Sequence, residues 1–292
     1  MNIIRYRAIY FIISGLLILA SVFALAKWGL KLGNDFTGGT LIEAEFKGEV
    51  LGNQAIKDKL SQFNLGDINV QPIGNNGVLL RMKDIDEQTH QNILGALGNV
   101  TEKRFELVGP IVGQELKQRA FYAIGLTLIM IVLYIAWAFR KVSRPVTSWK
   151  YGVATLIALM HDVVIPVGVF SLLGHFGGVE VGLLFVTAIL TILGFSVHDT
   201  IVVFDRIREN LRRGGGRDFE ETVDISVRQT LGRSINTSLT VILALLAVYF
   251  FGGESIRYFV LALLVGIAFG TYSSIFIASP VLVVWEKWKR RK

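Results

Sequence analysis

Six stretches of the chain are almost wholly apolar: residues 8–26, 121–139, 151–173, 181–204, 235–251 and 258–284. A helix rises ~1.5 Å per residue and about 20 apolar residues cross the hydrocarbon of a bilayer, so the pattern predicts six spanning helices. The first run ends in Ala24-Leu25-Ala26, which could pass for a leader with an A-x-A cleavage site, but it is long for one. We read it as a span. Between the first two runs the pattern changes period. Residues 40–46 alternate as a strand, and Ala55, Ile56, Leu60 and Phe63 recur at helical spacing. A strand at 68–73, a Gly-Asn-Asn-Gly turn at 74–77 and a strand at 78–82 follow, then a helix over 87–97 and a strand at 104–108. The order β-α-β-β-α-β is that of a ferredoxin-like unit. The expected architecture is an α-helical multi-pass membrane protein carrying one α+β ferredoxin-like extracytoplasmic domain. Its divisions are 1–29 (first span), 30–118 (external domain) and 119–292 (five spans, with a cytoplasmic loop at 206–233).

Charge orients these elements. Only 18% of the 292 residues are charged, against about 25% in soluble proteins. The net charge of +7 does not point to nucleic acid, because residues 27–119 hold eleven Lys/Arg and twelve Asp/Glu and are near neutral. The excess lies beside the apolar runs: Arg140, Lys141, Arg144 and Lys150 in one link, seven arginines from Arg206 to Arg233 in another, and five Lys/Arg after Trp285. Positive charge stays inside, so both termini are expected in the cytoplasm and the 31–118 block outside. The five tryptophans fall at expected helix ends, as in an aromatic belt. In the second basic link, Gly214-Gly215-Gly216 should be a flexible break. Asp218 and Glu221 have capping-box spacing, and Phe219, Val223, Val227 and Leu231 predict an amphipathic helix lying on the membrane face.

Three polar sites interrupt the apolar runs. His198-Asp199 lies inside the fourth; a carboxylate at a helix centre costs about 2.5–3.5 kcal/mol on insertion scales, so it faces protein or a watery cavity and is a proton-relay candidate. A permanently paired structural carboxylate is the plainer alternative. His161-Asp162 repeats the dipeptide in the third run, as either a packing partner or a relay member. Arg233 opens the fifth run, followed by Ser234, Asn236, Thr237 and Ser238. An arginine there commonly snorkels to phosphates, yet Asp199 lies roughly 9 Å inside the same face, within reach of an ion pair with Arg233. Asp205 to Arg213 read as a solvated helix end, Asp35 to Thr40 as a tight turn, Gly266 and Gly270 as a close-packing pair, and His90 as surface. With no cysteine, no metal spacing and no Ser-His-Asp order, no enzyme and no cofactor is expected.

LGNDFTGGT at 32–40, VGPIVGQEL at 108–116, ALMHDVV at 158–164, GFSVHDTIVVFDRIREN at 194–210, RQTLGRSINTSLT at 228–240 and FGG at 251–253 together resemble the SecD/SecF family of protein-export membrane proteins. The resemblance covers essentially the whole chain. It implies the resistance-nodulation-division superfamily, a bacterial inner-membrane location and a SecD partner supplying six more helices. It further implies assistance to the SecYEG channel and SecA motor in moving unfolded polypeptide, with the proton-motive force as energy source. Asp199 and Arg233 occupy the positions that it implicates in proton passage; His198 stands where many members carry Asn, which leaves its own titration open. His198, Asp162, His161 and Asn236 are secondary candidates, for relay or packing. The alternative is a stand-alone small-molecule or lipid exporter of the superfamily, which would need two large external domains and usually twelve helices. A structural scaffold comes third.

Overall fold

The computed structural model describes residues 3–48, 51–74, 76–140, 146–214, 216 and 218–290. In chain order these form α1 (Arg7–Trp28), α2 (Asn34–Thr37), β1 (Gly39–Phe46), α3 (Asn53–Leu60), β2 (Asn69–Ile73), β3 (Gly77–Met82), α4 (Glu87–Leu97) and β4 (Val100–Val108). Then come α5 (Pro110–Ala138), α6 (Ser148–Gly177), α7 (Leu183–Arg213), α8 (Phe219–Phe251), α9 (Glu254–Ser273), a π-helical turn (Ser274–Ala278) and α10 (Ser279–Arg290). The chain divides into two compact units, Leu32–Phe121 and the remainder.

In the smaller unit the strands run β2-β3-β1-β4, every neighbouring pair antiparallel. Period-two alternation places Ile42, Ala44, Val78 and Leu80 in a core closed by Ile56 and Leu60 of α3 and by Ile93 and Leu97 of α4. β4 begins four residues earlier than its apolar pattern suggests, because β1 holds it in register as far as the Phe46–Val100 pair, across a bulge at Glu43/Ala44. The turn expected at 35–40 is a single helical turn followed by Gly38 (φ +74°) and Gly39 (φ +121°). A Cβ on Gly39 would stand 2.5 Å from the Met82 carbonyl oxygen, and one on Gly38 2.8 Å from Pro110 Cα, so both positions require glycine. His90 is not at the surface. It is 5% exposed, stacked on Phe105 with ring centroids 4.0 Å apart and 3.3 Å from the Glu102 carboxylate, because β4 carries both partners beneath α4. Asn75, in the expected 74–77 turn, lies outside the described residues.

The larger unit is the helical bundle. Among the described residues six helical spans are long and apolar enough to cross a membrane: Ile4–Trp28, Pro110–Ala138, Ser148–Gly177, Leu183–Arg213, Phe219–Phe251 and Glu254–Trp288. The two inner pairings, α1 with α6 and α7 with α9, are made at small residues. A Cβ on Gly168 would meet Ser21 Cβ at 2.3 Å, and one on Gly266 would meet Ile192 Cδ1 at 2.1 Å. Gly270 faces Ser196, so the Gly266/Gly270 pair does bring α9 against α7. Ala154, Ala158, Leu159, Leu193, Val203 and Phe204 fill the core between them.

The segment after Asp218 does not lie on the membrane as a separate helix. It is the first third of the continuous α8, with the Asp218 side chain capping the Glu221 amide at 2.8 Å. Nothing between Phe219 and Phe251 breaks a helix, Gly232 alone being tolerated there. Its apolar stripe (Phe219, Val223, Val227) packs into the bundle core. Asn210 Nδ2 of α7 donates to Ser226 Oγ at 2.8 Å, and the Ile4 amide donates to Asp224 at 3.0 Å. Gly215, in the expected glycine break, lies outside the described residues, as do Lys141 and Arg144.

Candidate functional site

α7 presents its buried face at Ser196, Asp199, Thr200 and Val203, while Thr191, Gly194, His198 and Asp205 form its exposed edge. Adjacent residues on a helix point about 100° apart, so His198 and Asp199 separate. Asp199 is 7% exposed. Its Oδ1 accepts from Ser234 Oγ of α8 at 2.5 Å. Its Oδ2 is buried with no hydrogen-bond partner among the described residues.

The Asp199–Arg233 ion pair expected from the sequence is not formed. Arg233 is exposed one residue before Ser234, and the same 100° step that turns Ser234 inward turns the guanidinium outward. Asn236, Thr237 and Thr240 continue the exposed edge on which Arg233 lies. A polar edge therefore flanks the Asp199–Ser234 contact on both helices, inside otherwise apolar spans.

Behind this contact lies a second polar node that the sequence marked only by its His-Asp dipeptide. Asp162, fully buried on α6, accepts from Ser196 Oγ of α7 at 2.5 Å and from Ser273 Oγ of α9 at 2.7 Å. His161 Nδ1 lies 2.9 Å from its Oδ1, and the ring, 1% exposed, stacks on Tyr272 at 5.8 Å. Thr200 and Ser274 share a hydroxyl hydrogen bond of 2.9 Å, and Ser274 also donates to the Ser196 carbonyl at 3.3 Å. Ser238 of α8 and Thr271 of α9 make a further hydroxyl pair. Ser234 stands in the polar run read after Arg233 but was not paired with Asp199; Ser196, Ser273 and Ser274 were missed as site residues. Their signal was the small-residue face around Gly270, whose close approach lets short hydroxyls bridge helices.

The other motifs fall as ordinary structure. Arg206–Glu209 and Arg213–Glu209 are pairs along the solvated end of α7, at 2.5 and 2.9 Å. Among the described residues no group of three or more His, Asp or Glu could hold a metal ion.

The family model for the C-terminal part of the protein export membrane protein SecD/SecF matches residues 89–288, and that for the SecD/SecF GG motif matches residues 23–50, which contain Gly38-Gly39. The chain is 47% identical to the protein translocase subunit SecF of Thermobaculum terrenum over 98% of this chain and 94% of that one. It is 41% identical to the SecF of Anaerolinea thermophila over 100% and 96%. Among solved structures, SecDF of Thermus thermophilus, a translocon-associated membrane protein, superposes with a TM-score of 0.83 at 32% identity. That match covers 98% of this chain but 39% of the SecDF chain. A SecDF crystal structure in the super-membrane-facing form gives 0.71 at 31% identity, again over 39% of its length. The chain belongs to the SecD/SecF family of protein-export membrane proteins and aligns with its SecF members from end to end.

Proposed function

We propose that the chain is the six-helix subunit of a membrane complex that uses the proton-motive force to promote protein export. It works with a SecD-type subunit beside the SecYEG channel and the SecA motor. Both termini lie in the cytoplasm, and the Leu32–Phe121 unit lies outside, joined covalently to the first two spans. Asp199 carries the proton and Arg233 supplies the neighbouring positive charge. No cofactor takes part; the gradient is the energy source.

The observation that carries this reading is the buried Oδ2 of Asp199, without a hydrogen-bond partner among the described residues, inside an apolar span. Intramembrane carboxylates are expensive, and one with a spare oxygen facing inward has the form of a site that gains and loses a proton. One charge crossing 100 mV supplies ~2.3 kcal/mol, which shifts a two-state packing equilibrium roughly fifty-fold. The exposed polar edge formed by His198, Arg233, Asn236 and Thr240 supports a heteromeric assembly. Lipid is a poor neighbour for it, and six further helices would cover it.

The test is reconstitution of this chain with the channel and motor, with and without a SecD-type partner, following release of an exported substrate when a proton gradient is applied. Stimulation that needs both chains and the gradient is expected. Equal stimulation by this chain alone would contradict the subunit reading.

A further inference from the structure

The Asp199 site leaves the His161–Asp162 pair without a task, and its hydrogen bonding is lopsided. All three groups around the Asp162 carboxylate can donate to it: Ser196 Oγ, Ser273 Oγ and His161 Nδ1. They satisfy the ionised form, with the His161 hydrogen on Nδ1. In that state His161 Nε2 holds a bare lone pair, and it is buried with no hydrogen-bond partner among the described residues. The pair then carries one net negative charge in the middle of a bundle.

Among the described residues no cation pairs with that charge. The titratable side chains near the pair are Tyr272 of α9, stacked on His161, and Tyr10 of α1, whose backbone carbonyl accepts from the Tyr272 hydroxyl at 3.2 Å. α7 brings Ser196 and, three residues on, Asp199; His198 points to the exposed edge. The charged groups of α10 nearest in sequence, Glu286 and Lys287, lie about two turns beyond Ser279, with Lys287 paired to Glu220.

We propose that His161 and Asp162 form a second proton-binding site of the transport cycle. The incoming proton bonds to Nε2, and the imidazolium formed is neutralised by the Asp162 carboxylate against Nδ1–H. On the reverse step the Nε2–H bond breaks and the proton leaves; no other atom or electron is exchanged. An uncompensated buried charge costs more than the single unpaired N–H that uptake creates, so the charge balance favours a protonated state.

The site is placed for exchange with Asp199. Its partner on α7, Ser196, is three residues or about 4.5 Å of helix axis from Asp199. Thr200 and Ser274 bridge the two levels with hydroxyls. The inference rests on the proton-driven reading of Asp199 but makes its own demand on His161.

The test uses the complex with 15N-labelled imidazoles and solid-state NMR across the pH range in which gradient-driven export runs. His161→Asn keeps a side-chain N–H for Asp162 and deletes Nε2; its difference spectrum assigns the His161 signal. A doubly protonated His161 signal is expected to grow as the pH falls, in wild type and in Asp199→Asn alike. His161→Asn should fold, assemble and lose the response to the gradient. A single neutral tautomer throughout that range, or an undiminished response in His161→Asn, would overturn the proposal. If Asp199→Asn alone responds normally, the Asp199 reading fails, while the His161 signal still decides the second site.

Discussion

Asp162→Ala is the sharpest test of how the bundle is held together. Taking a buried charge out of a protein can be neutral or stabilising when its partners leave with it. Here the partners stay. Ser273 keeps a bond to the Gly270 carbonyl at 3.0 Å, and Ser196 can turn to a carbonyl one turn earlier, as serines in helices do. The His161 imidazole has no such fallback. Each orphaned buried donor costs about 1–3 kcal/mol, and truncation adds a cavity, so a net loss of roughly 2–4 kcal/mol is expected. Ser273→Ala leaves the carboxylate two donors and should cost nearer 1 kcal/mol. Asp162→Asn should fall between them: the amide retains one acceptor, and His161 can move its hydrogen to Nε2 and accept at Nδ1. Denaturant unfolding of the purified complex would rank the three. Asp162→Ala as stable as wild type would refute the idea that this node joins α6, α7 and α9.

Other consequences are simpler to state. Gly168→Ala should destabilise by about 1–3 kcal/mol, since its Cβ would stand 2.3 Å from Ser21 Cβ; Ser21→Gly in the same chain should restore part of the loss in thermal unfolding. Asp218→Ala removes the cap of α8 and should cost about 1 kcal/mol, seen as faster hydrogen exchange at the Glu221 and Thr222 amides; unchanged exchange would deny the cap. Ser234→Ala deletes a hydrogen bond to Asp199, worth about 1.5–3 kcal/mol if the carboxylate is ionised. The pH profile of gradient-driven export should move by about one unit or more, while Ser238→Ala, which touches Thr271 instead, should leave it in place.

The large features were legible because they rest on periodicity. Six apolar runs became six helical spans, and the change to period two marked the smaller unit and the order of its elements along the chain. Asp199 was legible because a carboxylate in an apolar run has few places to go. What surrounds it was not. Whether residue 233 or 234 meets Asp199 depends on the rotation of α8, and one residue is 100°. A four-residue apolar spacing cannot say whether Phe219, Val223 and Val227 face lipid headgroups or a bundle core, so α8 was divided in two. His90 looked like surface because its cover, Phe105, comes from a strand fifteen residues away. The serines of the Asp162 node carry no charge or hydrophobicity to betray them. Only the glycines opposite hinted that α7 and α9 approach closely enough for hydroxyls to bridge.

The proposed cycle turns on a proton carried by Asp199. Its most direct test is gradient-driven export in vesicles containing the assembled complex with Asp199→Asn, which preserves size and the contact with Ser234 but cannot ionise. The variant should insert, assemble and support motor-driven export at the wild-type level, yet gain nothing when a proton gradient is imposed. A normal gain from the gradient with Asn at this position would contradict the account.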